Sequence, residues 1–436
     1  MTRPPQKWRI LIMPSIVPKG QNMNSRGRKP TVEGKTHSTP KGSHNYHDLP
    51  WVVTHGYSCL AASRPGIRGH SHDALRSAFP GFCRGLMKFI AQIGIAVWLV
   101  MLSWFIPASA AETNAPVARS LQQKKSDLLD GQVRGICYSG FRSGQHPDRG
   151  SGAKNPTEAQ ILEDLQILGR RGEFPLLRLY DAKTNSAVVL QLIQKNGLKF
   201  KVMLGAWLAA EMNNPGCSWL KPMSPETLEA NRKGNIAEVR EAIRLANQYS
   251  NIVVAVAVGN EALVSWNDHM VTEDSIIRYV REVKKSVRQP VTVCDNYDWW
   301  AKHGKALASE LDFVSVHTYP LWEGRDIDQA MPFTIANLQA VRDALPDSRL
   351  VITEAGWATV AKEFGKRADE TRQKKYYQDI YAWAGQMNIT TFFFEAFDED
   401  WKGDNNPLGA EKHWGLYTVN RKPKLVMQDD QQKLKK

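Results

Sequence analysis

Residues 252–263 read IVVAVAVGNEAL, an aliphatic run that ends on an amide and a carboxylate. Such a continuous run is typical of a strand buried on both faces, as in a parallel sheet covered by helices. A carboxylate directly after a buried strand costs desolvation free energy unless it is paired or takes part in chemistry. The stretch therefore predicts a buried strand with a candidate functional residue, Glu261, at its carboxyl end.

Seven further short apolar segments are candidate strands like this one, and amphipathic helical patterns separate them. The eight candidate strands are 134–140, 175–181, 199–207, 252–263, 290–296, 312–320, 349–357 and 390–397. Helix start signals, such as Thr157 and Thr272, fall between the strands. Eight alternating strands and helices predict a single (β/α)8 TIM barrel. The competing fold is an open doubly wound sheet, but GICYSGFRSGQ after the first strand is not the glycine-rich phosphate turn of that fold.

Charge divides the chain into three regions. Residues 1–86 hold 13 Lys/Arg against 3 Asp/Glu, whereas the chain from residue 111 onward holds 43 against 41. A net charge of +10 out of the overall +13 therefore lies in the first region, which gives no support to nucleic-acid binding by the barrel. We expect 1–86 to be a basic segment that is disordered or absent from the mature protein, and 111–436 to be one barrel domain.

Residues 87–110, MKFIAQIGIAVWLVMLSWFIPASA, have the layout of a secretory signal peptide with a small-residue cleavage site. A membrane anchor is the alternative, because the apolar run is about long enough to span a bilayer. Export predicts a secreted or periplasmic, cell-envelope location, with no membrane association once the signal is cleaved. The three cysteines that follow have no metal-ligand spacing, so they predict core or loop thiols and neither a disulfide framework nor a zinc site. The sequence indicates no metal or organic cofactor. We expect a monomer.

A second carboxylate follows the seventh strand in TEAGW, where Glu354 matches Glu261 after the fourth. Active sites of these barrels lie at the carboxyl ends of the strands, so the two glutamates can face each other across the barrel mouth. Most enzymes that cleave glycosidic bonds use a pair of carboxylates of this kind, one on either side of the bond. A structural ion pair is the alternative for either one alone, but neither run offers an obvious local Arg or Lys partner.

Aromatic residues support a carbohydrate groove at the same mouth. Ten tryptophans follow residue 110, and seven lie at or just beyond strand ends: Trp207, Trp266, Trp299, Trp300, Trp322, Trp357 and Trp401. Sugar rings have apolar C–H faces that stack on aromatic planes, which large amphipathic side chains provide. Any one of these tryptophans alone is better explained by packing; seven around one rim favour sugar binding.

Together, VAVGNEAL, LVITEAGW, RLYD, HTYP, FFFEAFDEDWK and HWGLY resemble glycoside hydrolase family 17, retaining enzymes that act on β-1,3-glucan, and the chain resembles a bacterial-type member. The resemblance implies that Glu261 is the general acid/base and Glu354 the nucleophile. It further implies that Asn260 binds a sugar hydroxyl and that Tyr319 holds the nucleophile. Ala358 stands where the family pattern has Pro after E-x-G-W, which puts the shape of the groove in doubt but not the catalytic pair.

Other substrate-binding residues are expected around this pair. Arg178 and Tyr180 would line the donor side, and Trp401 and Lys402 resemble acceptor-side contacts. Arg178 could equally be a structural partner of one catalytic glutamate, and Glu395 could bind sugar hydroxyls or pair with Lys402 or Arg178. The remaining candidates at the strand ends are Trp299, Trp300, Trp357 and Asp398.

The function implied is hydrolysis of β-1,3-glucan by double displacement through a covalent glycosyl–enzyme. Glu261 must be protonated and Glu354 ionised at the start of the reaction. The negative charge of Glu354 nearby favours the protonated form of Glu261. One alternative is a transglycosylase that uses the same two glutamates and passes the sugar to another glucan. The other is a non-catalytic glucan-binding barrel. The expected partner is a β-glucan oligo- or polysaccharide.

Overall fold

The computed structural model describes residues 121–124, 131, 133–148, 152–170 and 173–428. The expectations for residues 1–86 and for the signal peptide at 87–110 lie outside the described residues and stay predictions. Within the described part, no helix combines the length and the apolar character that a membrane crossing requires.

Eight parallel strands close into a barrel in chain order, with β1 pairing both β2 and β8. The strands are β1 Arg134–Cys137, β2 Leu176–Arg178, β3 Lys201–Ala206, β4 Val253–Asn260, β5 Val291–Asn296, β6 Val314–Thr318, β7 Leu350–Gly356 and β8 Thr391–Phe394. All eight lie within the predicted segments, and closure of the ring excludes the open sheet. The (β/α)8 barrel is confirmed.

Helices connect the strands and cover the barrel. They are α1 Glu158–Gly169, α2 Thr184–Lys195, α3 Pro225–Gln248, α4 Glu273–Ser286, α5 Tyr297–His303, α6 Lys305–Ala308, α7 Ile327–Ala344 and α8 Glu370–Met387. Thr157 caps α1 by accepting from Gln160 N, and Thr272 caps α4 by accepting from Ser275 N, as the sequence predicts. These caps end the loops that carry polar side chains at the barrel mouth.

The barrel strands are buried along most of their length. Every residue of β5, β6, β7 and β8 is buried, and β4 is buried except at Val254. Cys137, Cys217 and Cys294 are free, buried thiols. Polar side chains that end these strands are therefore desolvated and need partners.

Candidate active site

The backbone at the end of β4 fixes the position of Glu261. The β4–β5 pairing shifts register between Ala257 and Asn260, and Gly259 has φ +83°. Glu261 itself has φ +45°, which is uncommon for a residue with a Cβ and costs free energy unless its surroundings hold it. Its N–H donates to Cys294 O on β5 (2.8 Å), and Asn267 Nδ2 donates to its carbonyl (2.5 Å).

Three donors surround the carboxylate of Glu354 on β7. Arg178 Nη1 (2.5 Å) and Tyr180 OH (3.0 Å) donate to Oε1, and Tyr319 OH donates to Oε2 (2.5 Å). Burial, and then the charge of Glu354, raise the pKa of Tyr319 well above its usual value, so the phenol keeps its proton and donates. Charge-assisted bonds of this kind stabilise the ionised form of a buried carboxylate.

His317 on β6 lies between the two glutamates. Its Nδ1 is 2.9 Å from Glu261 Oε1 and 3.5 Å from Glu354 Oε2. One nitrogen or oxygen of each of the three side chains lies within 4.8 Å of the others. Carboxyl groups of retaining glycosidases stand about 5–5.5 Å apart, and those of inverting enzymes about 6.5–9.5 Å. The pair therefore fits the shorter arrangement.

The surroundings of His317 favour its protonated form. Burial lowers the pKa of His317, but the charge of Glu354 and the hydrogen bonds to Cys294 and Glu261 outweigh it and raise the pKa to about 10. The sequence places His317 at a strand end but assigns it no role. The available signal was HTYP, because residues two apart on a strand point to the same face, here His317 and Tyr319.

A metal ion is another group that this site could hold. Among the described residues, three have ligand atoms close enough together for one: Glu261, His317 and Glu354. Their contacts fit a hydrogen-bond network better. Both oxygens of Glu354 already accept from protein donors, and a protonated imidazole has no lone pair for a metal.

Arg178 joins the ends of β4 and β7. Its Nη2 donates to Asn260 Oδ1 while its Nη1 donates to Glu354, and the side chain is buried over the Tyr180 ring. Of the two alternatives for Arg178, the structure shows the partner of a glutamate. His269 supports the same strand end, with Nε2 2.8 Å from Asn260 O.

A second charged cluster lies after β8. Lys402 Nζ is 2.5 Å from Glu395 Oε2 and 2.9 Å from Glu399 Oε2, and all three side chains are buried. Of the two alternatives for Glu395, the structure shows the ion pair with Lys402. Two carboxylates hold its ammonium, and the expected contact of Lys402 with an acceptor sugar stays a prediction. Glu395 Oε1 has no hydrogen-bond partner among the described residues.

Three expected sugar contacts are contradicted, because their side chains are inside the protein. Trp300 and Trp357 are fully buried, and their Nε1 groups donate to Ser315 O (2.8 Å) and Arg367 O (2.9 Å). Neither ring has a free face for a sugar. Asp398 is buried and accepts from Lys424 Nζ (2.7 Å) and Gly415 N (2.9 Å). Trp299 and Trp401 are partly exposed and stay candidates.

A closed (β/α)8 barrel with paired glutamates after β4 and β7 defines an enzyme of the glycoside hydrolase and transglycosylase class. The chain belongs to the BtgE/BtgC glycoside hydrolase domain family, which matches residues 135–415.

Individual proteins show the same likeness. A glucan 1,3-β-glucosidase of Arthroderma benhamiae is 27% identical over 286 residues, which covers 62% of this chain and 84% of that relative. Some fungal relatives are longer, and the chain spans 39% of one from Aspergillus clavatus. The curated relatives are fungal, so the expectation of a bacterial-type member is not supported.

Solved structures share the barrel. An endo-laminarinase from Formosa Hel1_33_131 is 26% identical with a TM-score of 0.59, over 70% of this chain and 88% of that chain. A glycoside hydrolase family 17 β-1,3-glucanosyltransferase from Rhizomucor miehei is 23% identical with a TM-score of 0.53, over 68% and 97%. The second likeness concerns the fold alone.

Proposed function

We propose that the protein is a retaining glycoside hydrolase that acts on β-1,3-glucan through a covalent glycosyl–enzyme. The observation that carries the proposal is the approach of the Glu261 and Glu354 carboxylates to within 4.8 Å of each other, on either side of His317. Such proximity favours the shorter carboxyl separation of retaining enzymes over the longer one with which inverting enzymes accommodate a water.

In the first step Glu354 attacks the anomeric carbon as the bond to the leaving oxygen breaks. Arg178 and Tyr319 keep Glu354 ionised and oriented, which holds its oxygen ready for attack. The proton that the leaving oxygen needs comes from Glu261. His317 Nδ1, 2.9 Å from Glu261 Oε1, orients the carboxyl group that carries this proton.

In the second step the charge of Glu354 is absent, because its oxygen is bonded to the sugar. Glu261, now ionised, takes a proton from water, and the water oxygen forms the new bond to the anomeric carbon while Glu354 departs as a carboxylate. Two inversions at the same carbon give net retention.

The β-1,3 linkage is supported by two proteins to which the chain is similar, a glucan 1,3-β-glucosidase and an endo-laminarinase. A transglycosylase would follow the same path with a sugar hydroxyl in place of water. The export and cell-envelope location expected from residues 87–110 remain part of the proposal.

Product analysis of the full-length protein with laminari-oligosaccharides tests the proposal. Shorter chains released first as the β-anomer, seen by proton NMR, support a retaining hydrolase, and longer chains in addition support transfer. The α-anomer would overturn the retaining step. No change to any β-glucan would overturn the enzyme and favour a glucan-binding barrel.

A further inference from the structure

A further carboxylate, Asp295, lies near the general acid at the end of β5, and the mechanism above does not use it. Its side chain is fully buried. Its Oδ2 accepts from Leu263 N (3.1 Å), two residues beyond Glu261, and its Oδ1 accepts from Asn296 N (2.7 Å). Hydrogen bonds from N–H groups to a carboxylate favour its ionised form, so these contacts favour an anion at Asp295.

Asp295 holds the stretch of backbone that carries Glu261. Glu261 N donates to Cys294 O (2.8 Å), and Leu263 N donates to the side chain of the next residue, Asp295. The end of β5 thus fixes the chain on both sides of the turn in which Glu261 has φ +45°. Such a backbone conformation persists only where the surrounding structure holds it. Asp295 therefore helps to position the general acid.

The charge of Asp295 also acts on the carboxyl group of Glu261. Burial, and then the charge of Glu261, raise the pKa of Asp295 to about 7, although the two N–H donors and His317 oppose the shift. Repulsion between like charges is mutual, so an ionised Asp295 favours the protonated form of Glu261. Three further titratable groups face Glu261 from neighbouring elements: His317 on β6, Glu354 on β7 and His269 in the loop after β4.

The two carboxylates near Glu261 differ in when their charge is present. Glu354 loses its charge when its oxygen bonds to the sugar, so in the second step it no longer favours a proton on Glu261. Asp295 forms no bond to the sugar and keeps its charge through both steps. That charge still favours transfer of the water proton to Glu261, which the second step requires.

We propose that Asp295 is a positioning residue for Glu261: it holds the backbone turn that presents the general acid, and its constant negative charge favours a proton on Glu261 in both steps. Asp295 acts through Glu261 and adds no bond-making step to the reaction. The inference rests on the proposed function and deepens it by assigning the group that assists both proton transfers.

Asp295→Asn tests the charge, because it keeps the size of the side chain and an oxygen that can accept from Leu263 N. Without the negative charge, Glu261 loses its proton at lower pH. We therefore expect the alkaline limb of kcat/KM for laminari-oligosaccharides to move down by about one pH unit. The position of the limb does not depend on the amount of folded enzyme.

Asp312→Asn is the matched control. Asp312 accepts from Val291 N (2.8 Å) at the opposite end of β5, and its side chain is exposed. Because solvent and salt screen an exposed charge at that distance, the alkaline limb should stay within about 0.2 pH unit of wild type. An equal shift in both variants, or a loss of kcat/KM with Asp295→Asn that is uniform in pH and leaves the limb in place, overturns the inference.

NMR of wild-type protein with 13C-labelled aspartate gives a measurement that does not require a variant to fold. One aspartate signal should show a second inflection at the pH of the alkaline limb, where Glu261 ionises and repels the charge of Asp295. The absence of such a signal overturns the inference while the proposed function stands. Wild-type protein that acts on no β-glucan overturns both.

Discussion

Two buried clusters of charge at the barrel mouth use similar residues in different ways. At Glu354, a carboxylate faces a second carboxylate, Glu261, with His317 between them. After β8, the carboxylates Glu395 and Glu399 share the ammonium of Lys402. In the first cluster a titratable imidazole lies between the carboxylates, 2.9 Å from Glu261 and 3.5 Å from Glu354. In the second, a permanent cation separates the carboxylates.

Burial and charge alone therefore do not identify the reacting residue. Burial raises the pKa of Glu395 well above its usual value, although Lys402 opposes the shift. Burial lowers the pKa of Lys402, yet Glu395 and Glu399 raise it overall, so it stays charged. The cluster after β8 holds its loop against the segment that follows β1, because Glu399 also accepts from Phe141 N (3.2 Å). We therefore assign chemistry to the first cluster and support of the loop to the second.

Glutamine substitutions at Glu354 and Glu395 should distinguish the two clusters most clearly, by the loss of catalytic activity that each one causes. Glu354→Gln removes the attacking oxygen's charge, so we expect turnover of laminari-oligosaccharides to fall on the order of 10⁴-fold or more while binding persists. Glu395→Gln removes at most one charged hydrogen bond, so kcat/KM should fall by about 10–100-fold at most. Glu229→Gln, on the exposed face of α3, is the surface control.

If Glu395→Gln proved as damaging as Glu354→Gln, the assignment of roles to the two clusters would be wrong. Steady-state kinetics and calorimetric binding of laminaritriose separate lost turnover from lost binding.

Replacing Lys402 should cost stability. Lys402→Met leaves Glu395 and Glu399 buried without their cation, and breaking such a pair costs about 3–5 kcal/mol in the free energy of unfolding. Lys375→Met is the matched control, because Lys375 pairs with Asp379 at the surface and such pairs contribute about 0.3–0.5 kcal/mol. Denaturant unfolding measures both, and equal losses would contradict a supporting role for Lys402.

His317 should affect the pH profile more than stability. Because the pKa of His317 is raised to about 10, the side chain is a cation next to Glu261 at neutral pH. His317→Asn removes that cation, so the proton stays on Glu261 to higher pH. We expect the alkaline limb of kcat/KM to move up by about one pH unit, equivalent to 1.36 kcal/mol. An unchanged limb together with lower kcat would indicate that His317 only fills space.

The sequence was sufficient for the barrel and for the placement of Glu261 and Glu354, because strand periodicity and strand-end polarity are local signals. It failed for Trp300, Trp357 and Asp398, because a position after a strand does not specify whether a side chain turns to the mouth or into the core. It also failed to give His317 a role. The contacts of that residue come from β4 and β7, and only the register of the closed barrel brings them together.

In the proposed mechanism Glu354 forms the bond to the sugar, and trapping of the covalent intermediate identifies the bonded residue. A 2-deoxy-2-fluoro laminaribiosyl donor with a good leaving group should slow hydrolysis of the intermediate enough for peptide mass spectrometry. We predict one sugar adduct, on Glu354 in the peptide that contains LVITEAGW. An adduct on Glu261 or Glu395, or rapid turnover of the donor to a product of inverted configuration, would contradict the account.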